Sequence, residues 1–213
     1  MFASRWHVPK QQLLQTAVLT LTLLLILTIL VIQLGIFDPK PIGSLRHTVG
    51  STLLTVPKQS EKITWLETPT LPENFSVRLT AVFQSGDPDS GYGLLLGSPD
   101  HHLAIAVSPL GLVSIWESNL PRPLLQGRGQ EAFLQLGKTE GRLPWQPWPH
   151  IAPTHTPNEI WLDVHADQLT VRLNRERLWA AEWAGAKEQI GLVGISFGET
   201  AVIKFQQLDL LWE

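Results

Sequence analysis

Residues Asn158 to Leu173 read NEIWLDVHADQLTVRL, and this stretch decides the fold class. Ile160, Leu162 and Val164 fall on one parity, and Glu159, Trp161, Asp163 and His165 on the other. A period of two is the side-chain repeat of a β-strand, so the first set faces a core and the second faces water. Ala166-Asp167 supplies a turn, after which Leu169, Val171 and Leu173 point inward and Thr170 and Arg172 outward. A hairpin with one wet face is the building unit of an antiparallel sandwich.

The same signal repeats on both sides of this hairpin. In NFSVRLTAVF (Asn74 to Phe83), Phe75, Val77, Leu79, Ala81 and Phe83 share one face, opposite Ser76, Arg78 and Thr80. YGLLLGS, LAIAVS and LVSIWES follow as a meander, separated by SGDPDSG, PDHH and PLG, whose Gly, Pro and Asp supply tight-turn dihedrals. The turn NRER leads to LWAAEW; IGLVGISFG and AVIKFQQLDLLW close the chain. In that last stretch Ile203 and Phe205 share a face, as do Leu208, Leu210 and Trp212. The phase slips by one at Gln206-Gln207, which predicts a β-bulge. ITWLE (Ile63 to Glu67) is a further strand, and AFLQLG one more inside the irregular 119–157 segment. Sixteen Gly and sixteen Pro agree with many short strands rather than helices.

One segment departs from this pattern. Residues 11–37, QQLLQTAVLTLTLLLILTILVIQLGIF, carry no charge between Lys10 and Asp38. Roughly 20 apolar residues rising about 1.5 Å each cross the ~30 Å hydrocarbon layer as one helix. Thr16, Thr20, Thr22 and Thr28 are compatible, since a helical Thr hydroxyl can bond a carbonyl one turn back. The apolar run is longer than the h-region of a cleaved signal peptide, and LGIFDPKP offers no small-x-small cleavage site, so the segment reads as an uncleaved signal anchor. Arg5 and Lys10 before it nearly balance Lys40 and Arg46 after it; the short basic tail is expected in the cytoplasm and the rest outside. The expected organisation is a tail over 1–10, a transmembrane helix over 11–37, a stalk over 38–61 with one edge strand at Leu53 to Val56, and a single β-sandwich domain over 62–213.

Composition excludes some functions. A net charge of -3 leaves no basic footprint for nucleic acid. The absence of cysteine fits a reducing compartment or an exported domain whose core needs no disulfide. Asp87, Asp89 and Asp100 could hold calcium, though Asp in such turns is first a turn builder; no metal or other cofactor is expected. His101 and His102 are adjacent, so in a strand they point to opposite faces and cannot share a metal. Asn74-Phe75-Ser76 is formally a glycosylation acceptor.

Nine Trp is a high number. Trp145 and Trp148 lie between prolines, in a segment that cannot be a regular central strand. On a stiff loop they would offer a stacking platform for sugars; alternatively both rings cap the open end of the core. Together with the outward-facing Trp161 they are the candidate ligand-binding residues.

The order of strands and turns resembles the concanavalin-A-like jelly rolls. More narrowly, it is similar to the laminin-G-like and 3-keto-disaccharide-hydrolase-type sandwich domains of bacterial surface proteins. The resemblance covers roughly residues 62–212 and rests on the YGLLLG strand, on NEIWLDV followed by a turn and QLTVRL, and on the closing GLVG and VIKFQQL. It implies an all-β antiparallel sandwich and a lectin-like role. One departure is Asn174-Arg175, where the family often has Asn-Gly, which puts the geometry of that turn in question. Retaining glycosidases on this fold need two carboxylates about 5–5.5 Å apart. The nearest pair, Glu159 and Asp163, would lie about 13 Å apart along an extended strand at ~3.3 Å per residue. No Ser-His-Asp order, phosphate loop or clustered metal ligands accompany it, and no catalytic residue is expected. Two functions remain: a non-catalytic, lectin-like binding module for glycans or a cell-surface ligand, and a structural or accessory subunit of a larger membrane complex.

Overall fold

Alternation of apolar and polar residues is satisfied by two stacked antiparallel sheets. The structure, a computed structural model, describes residues 10–33, 38–118 and 141–213. It falls into two units, residues 1–40 and 41–213.

In the first unit, helix α1 spans Lys10–Gln33. Its Leu13–Ile32 segment of 20 residues is long and apolar enough to cross a membrane, and nearly all of its Leu, Ile and Val side chains are exposed. Thr20, Thr22 and Thr28 donate their hydroxyls to the carbonyls of Thr16, Val18 and Leu24 at 2.8–2.9 Å, so these polar groups are satisfied within the helix.

The second unit begins with β1 (Ser44–Val49), β2 (Thr52–Val56), β3 (Ser60–Trp65) and β4 (Asn74–Ser85). The meander is β5 (Gly91–Gly97), β6 (His102–Ser108) and β7 (Leu112–Ser118). Next come β8 (Gly141–Pro147), β9 (Asn158–His165), β10 (Gln168–Leu173) and β11 (Glu176–Glu182). The unit closes with β12 (Gln189–Ser196) and β13 (Ala201–Trp212). Among the described residues a seven-stranded sheet has the order β1-β13-β4-β9-β10-β11, with β2 also on β13, and a six-stranded sheet has the order β3-β12-β5-β6-β7-β8. This is an antiparallel β-sandwich of the jelly-roll kind.

The expected inward faces of β4, β9 and β10 are the observed ones: Phe75, Val77, Leu79, Ile160, Leu162, Val164, Leu169 and Val171 are all fully buried between the sheets. The expected bulge lies at Gln206, where Phe205 pairs with Ala81 and Gln207 with Thr80; it restores Leu208 and Leu210 to the core side. The turn questioned at Asn174-Arg175 keeps the two-residue geometry with positive φ at both positions, 48° and 74°, the signature of a type I′ hairpin. The strand expected within 132–137 lies outside the described residues.

One expectation is corrected. Residues 38–61 are not a stalk with one edge strand: β1 and β2 pair with β13, and β3 pairs with β12. Edge strands carry one unpaired side in water, so SLRHTV could be polar enough to pass for a linker. The meander is enclosed on both sides: β5 and β6 are buried at every position. Leu95, Ala104, Ala106, Trp116, Trp145, Val193, Ile195 and Phe197 form a separate apolar cluster on its outer side. Apolar runs such as GLLLG and LAIAV are what a strand buried on both faces requires.

Candidate functional site

Trp145, Trp148 and Trp161 do not converge. Trp145 sits in β8, the edge strand among the described residues, 6% exposed, with its ring centroid 6.2 Å from that of Trp116 on the outer side of the six-stranded sheet. Pro144 and Pro147 are tolerated there because one side of an edge strand needs no ladder donor. Trp148 donates its backbone N–H to the Gly111 carbonyl at 2.8 Å, and its ring packs partly buried against the main core. Large apolar rings gain more from burial than from display, so these two positions belong to packing.

Trp161 is different. It lies in β9 on the outer face of the seven-stranded sheet, yet is only 2% exposed. The register explains this: Arg78 of β4 and Arg172 of β10 flank it on neighbouring strands. Their guanidinium carbons stand 5.1 and 5.8 Å from the ring centroid, close enough for cation–π attraction of about 0.5–1 kcal/mol each. The two side chains lie across the indole and cover it.

Carboxylates fix this array. Arg78 Nη2 donates to Glu159 Oε2 at 2.7 Å. Asp163 Oδ1 accepts both Trp161 Nε1–H and Ser76 Oγ–H at 2.6 Å, and Asp163 Oδ2 stands 3.5 Å from Arg172 Nε. Ser76 Oγ in turn accepts the Ile42 N–H at 2.7 Å. Ser76 is fully buried, which closes the formal glycosylation acceptor at Asn74 in the folded protein. The result is a planar aromatic–guanidinium–carboxylate face on a rigid sheet, a chemistry suited to hydroxyl-rich or oxyanionic ligands. The hairpin alone carried part of this signal: a two-residue turn at Ala166-Asp167 sets Trp161 opposite Arg172. Arg78 was beyond reach, because the sequence does not say that β4 neighbours β9.

Elsewhere, Asp87 Oδ2 accepts the Glu199 N–H at 2.7 Å. Burial, with the Asp87 charge added, pushes the Asp89 carboxyl above its usual range. Asp100 lies in the turn at the other end of β5, so the three acids expected as possible calcium ligands are not brought together. No group of three His, Asp or Glu able to hold a metal occurs among the described residues. At the rim of the core Glu117 accepts from His101 Nε2 (2.6 Å), Trp183 Nε1 (3.1 Å) and Arg142 Nε (3.0 Å). Burial would raise its carboxyl, but these donors outweigh it and hold it below the usual range. A cleft of about 740 Å³ opens beside Trp65, lined by Glu67, Glu73 and Glu188. Its lysine, Lys187, is engaged by Asp167 at 2.8 Å.

No protein-family model and no curated protein sequence matches the chain. Solved structures do. The VIP36 exoplasmic/lumenal domain in its Ca2+/Man-bound form aligns with a TM-score of 0.56 at 10% identity, over 82% of this chain and 82% of that one. The metal-free carbohydrate recognition domain of Emp46p gives 0.52 at 12% identity, over 75% and 87%. A β-fructofuranosidase of Aspergillus kawachii gives 0.51 at 9% identity, over 78% of this chain but 27% of that one. The fold is thus that of lectin-like jelly-roll sandwiches.

Proposed function

We propose that the protein is a membrane-anchored, non-catalytic β-sandwich that binds glycans on the outer face of its seven-stranded sheet. The observation that carries this reading is the Arg78–Trp161–Arg172 row with its Glu159 and Asp163 acceptors. It is preorganised on three adjacent strands, so binding need not order flexible side chains. The VIP36 and Emp46p domains, described as mannose-bound and as a carbohydrate recognition domain, support a sugar ligand. Helix α1 is the anchor, with the sandwich outside the cytoplasm.

The test is a glycan array probed with the full chain in detergent micelles, unaltered and as Arg172→Gln and Trp161→Phe. Binding by the unaltered chain, weakened about tenfold or more in each variant, is the expected result. An empty array, or binding indifferent to both substitutions, removes the assignment.

A further inference from the structure

The outer face carries one more cation than the row across Trp161 needs. In β10 and β11, Val171 pairs with Trp179 while Arg172 pairs with Arg177, which leaves Leu178 unpaired. Without this bulge Arg177 would share the parity of Trp179 and point toward the core; with it, Arg177 stands beside Arg172 on the outer face. Leu178 and Trp179 both pack against the core, so the bulge is held in place from beneath.

Two arginines opposite one another on a sheet repel, and the surroundings neutralise them only in part. Glu159 is taken by Arg78 at 2.7 Å. Asp163 is committed to Ser76 and Trp161, and reaches Arg172 only at 3.5 Å through Nε. Arg177 is exposed and has no carboxylate partner among the described residues. Arg172 lies over Trp161 with its guanidinium carbon 5.8 Å from the ring centroid, and its contact with Asp163 is made through Nε. The terminal N–H edge of a guanidinium matches the planar fork of a carboxylate or the oxygens of a sulfate.

We infer that Arg172 and Arg177 form a subsite for the oxyanion of an acidic glycan, a uronate carboxylate or a sulfate ester, with the bulge at Leu178 as the device that assembles it. This rests on the glycan-binding reading above and adds the class of sugar.

The experiment measures affinity of the full chain in detergent micelles for polygalacturonate, heparin, and the neutral polymers dextran and mannan, at about 0.15 M salt. The expected result is at least about tenfold tighter binding of polygalacturonate, heparin or both than of the neutral polymers. In Arg177→Gln that ratio falls toward one, and because Arg177 is exposed, the variant folds. Preference for polygalacturonate alone assigns the carboxylate, and preference for heparin alone the sulfate. A ratio near one in the unaltered protein, with neutral polymers bound, overturns the acidic subsite and leaves glycan binding standing. Silence toward all four polymers overturns both. Single-stranded DNA bound as tightly as heparin also overturns the inference, since the face would then be a general cation surface.

Discussion

Asn174 Nδ2 donates to Asn158 Oδ1 at 2.9 Å, joining the β10–β11 turn to the first residue of β9. Asn158 is 2% exposed and uses its whole carboxamide: Oδ1 also accepts the Ala152 N–H at 2.7 Å, while Nδ2 donates to Tyr92 Oη and to the Ala152 carbonyl. Burial has pushed the Tyr92 phenol up to about 12. Asn158→Ala strands several buried partners at once, so unfolding in urea should show a loss of about 2–4 kcal/mol. Combining it with Tyr92→Phe should cost less than the sum of the two single changes, because they share a network. Strict additivity in that cycle would count against coupling.

The turn at Ala166-Asp167 holds Ala166 at φ 50°, a left-handed conformation costing an L-residue with a Cβ about 1 kcal/mol. Asn takes up positive φ more readily than Ala, because its short polar side chain can hydrogen-bond locally. Ala166→Asn should therefore raise stability by about 0.5–1 kcal/mol, a melting shift of roughly 1–4 °C for a domain of this size. The backbone carbonyl of Ala166, which accepts Lys187 Nζ–H at 2.7 Å, is kept. An unchanged or lowered midpoint would show that the strain is taken up elsewhere.

Glu61 stands opposite Ile195 in the β3–β12 pair, on the side of the six-stranded sheet where Ile63 and Ile195 cluster. Burial pushes its carboxyl from 4.5 up to about 7. Between those two values the folded protein holds a proton that the unfolded chain has released, so stability falls as pH rises through this window and levels off above it. The loss is at most about 3 kcal/mol, at ~1.4 kcal/mol per unit. Glu61→Gln should remove this component; melts at pH 5, 6 and 7 that decline equally in both proteins would refute the assignment to Glu61.

Helix α1 carries a prediction of its own. Replacing Leu23 and Leu25 of α1 with Lys puts two charges at the centre of the apolar span, at about 2.5–3.5 kcal/mol each on insertion scales. Alkaline carbonate should then release the variant from membranes while leaving the unaltered protein in the pellet. Release of both would mean that α1 does not span.

The parts of the fold legible in the sequence are those where one face is buried and the other wet. Phe75 to Phe83, the β9–β10 hairpin and the slip at Gln206 all report parity directly. Ser44 to Val49 did not, because an edge strand paired only with β13 shows little alternation: its residues are exposed or half-buried throughout. The outer cluster of the six-stranded sheet was hidden for the opposite reason. Leu95, Trp116 and Val193 lie in runs apolar on both parities, and such runs do not say which neighbour covers them. Of the site, the β9–β10 hairpin made Trp161 and Arg172 visible on one face, whereas Arg78 was not, since it comes from a strand whose adjacency to β9 is a property of topology. Trp145 and Trp148 were the natural platform on composition, and packing claimed them.

Strand β13 has a consequence for how the protein is made. It pairs with β4 along one side and with both β1 and β2 along the other, and Gly43, at φ 72°, lies so close to the Trp212 carbonyl that a Cβ would collide with it. Ribosomes deliver β1 and β2 first, yet their hydrogen-bonding partner is synthesised only after β3 to β12. Domains generally fold as units, and here the first two strands have no sheet partner until β13 appears. During translation their edges are open to mispairing, and closure over such sequence separation is slow. Pairing of β1 and β2 into the sheet therefore waits until the closing strand has been synthesised.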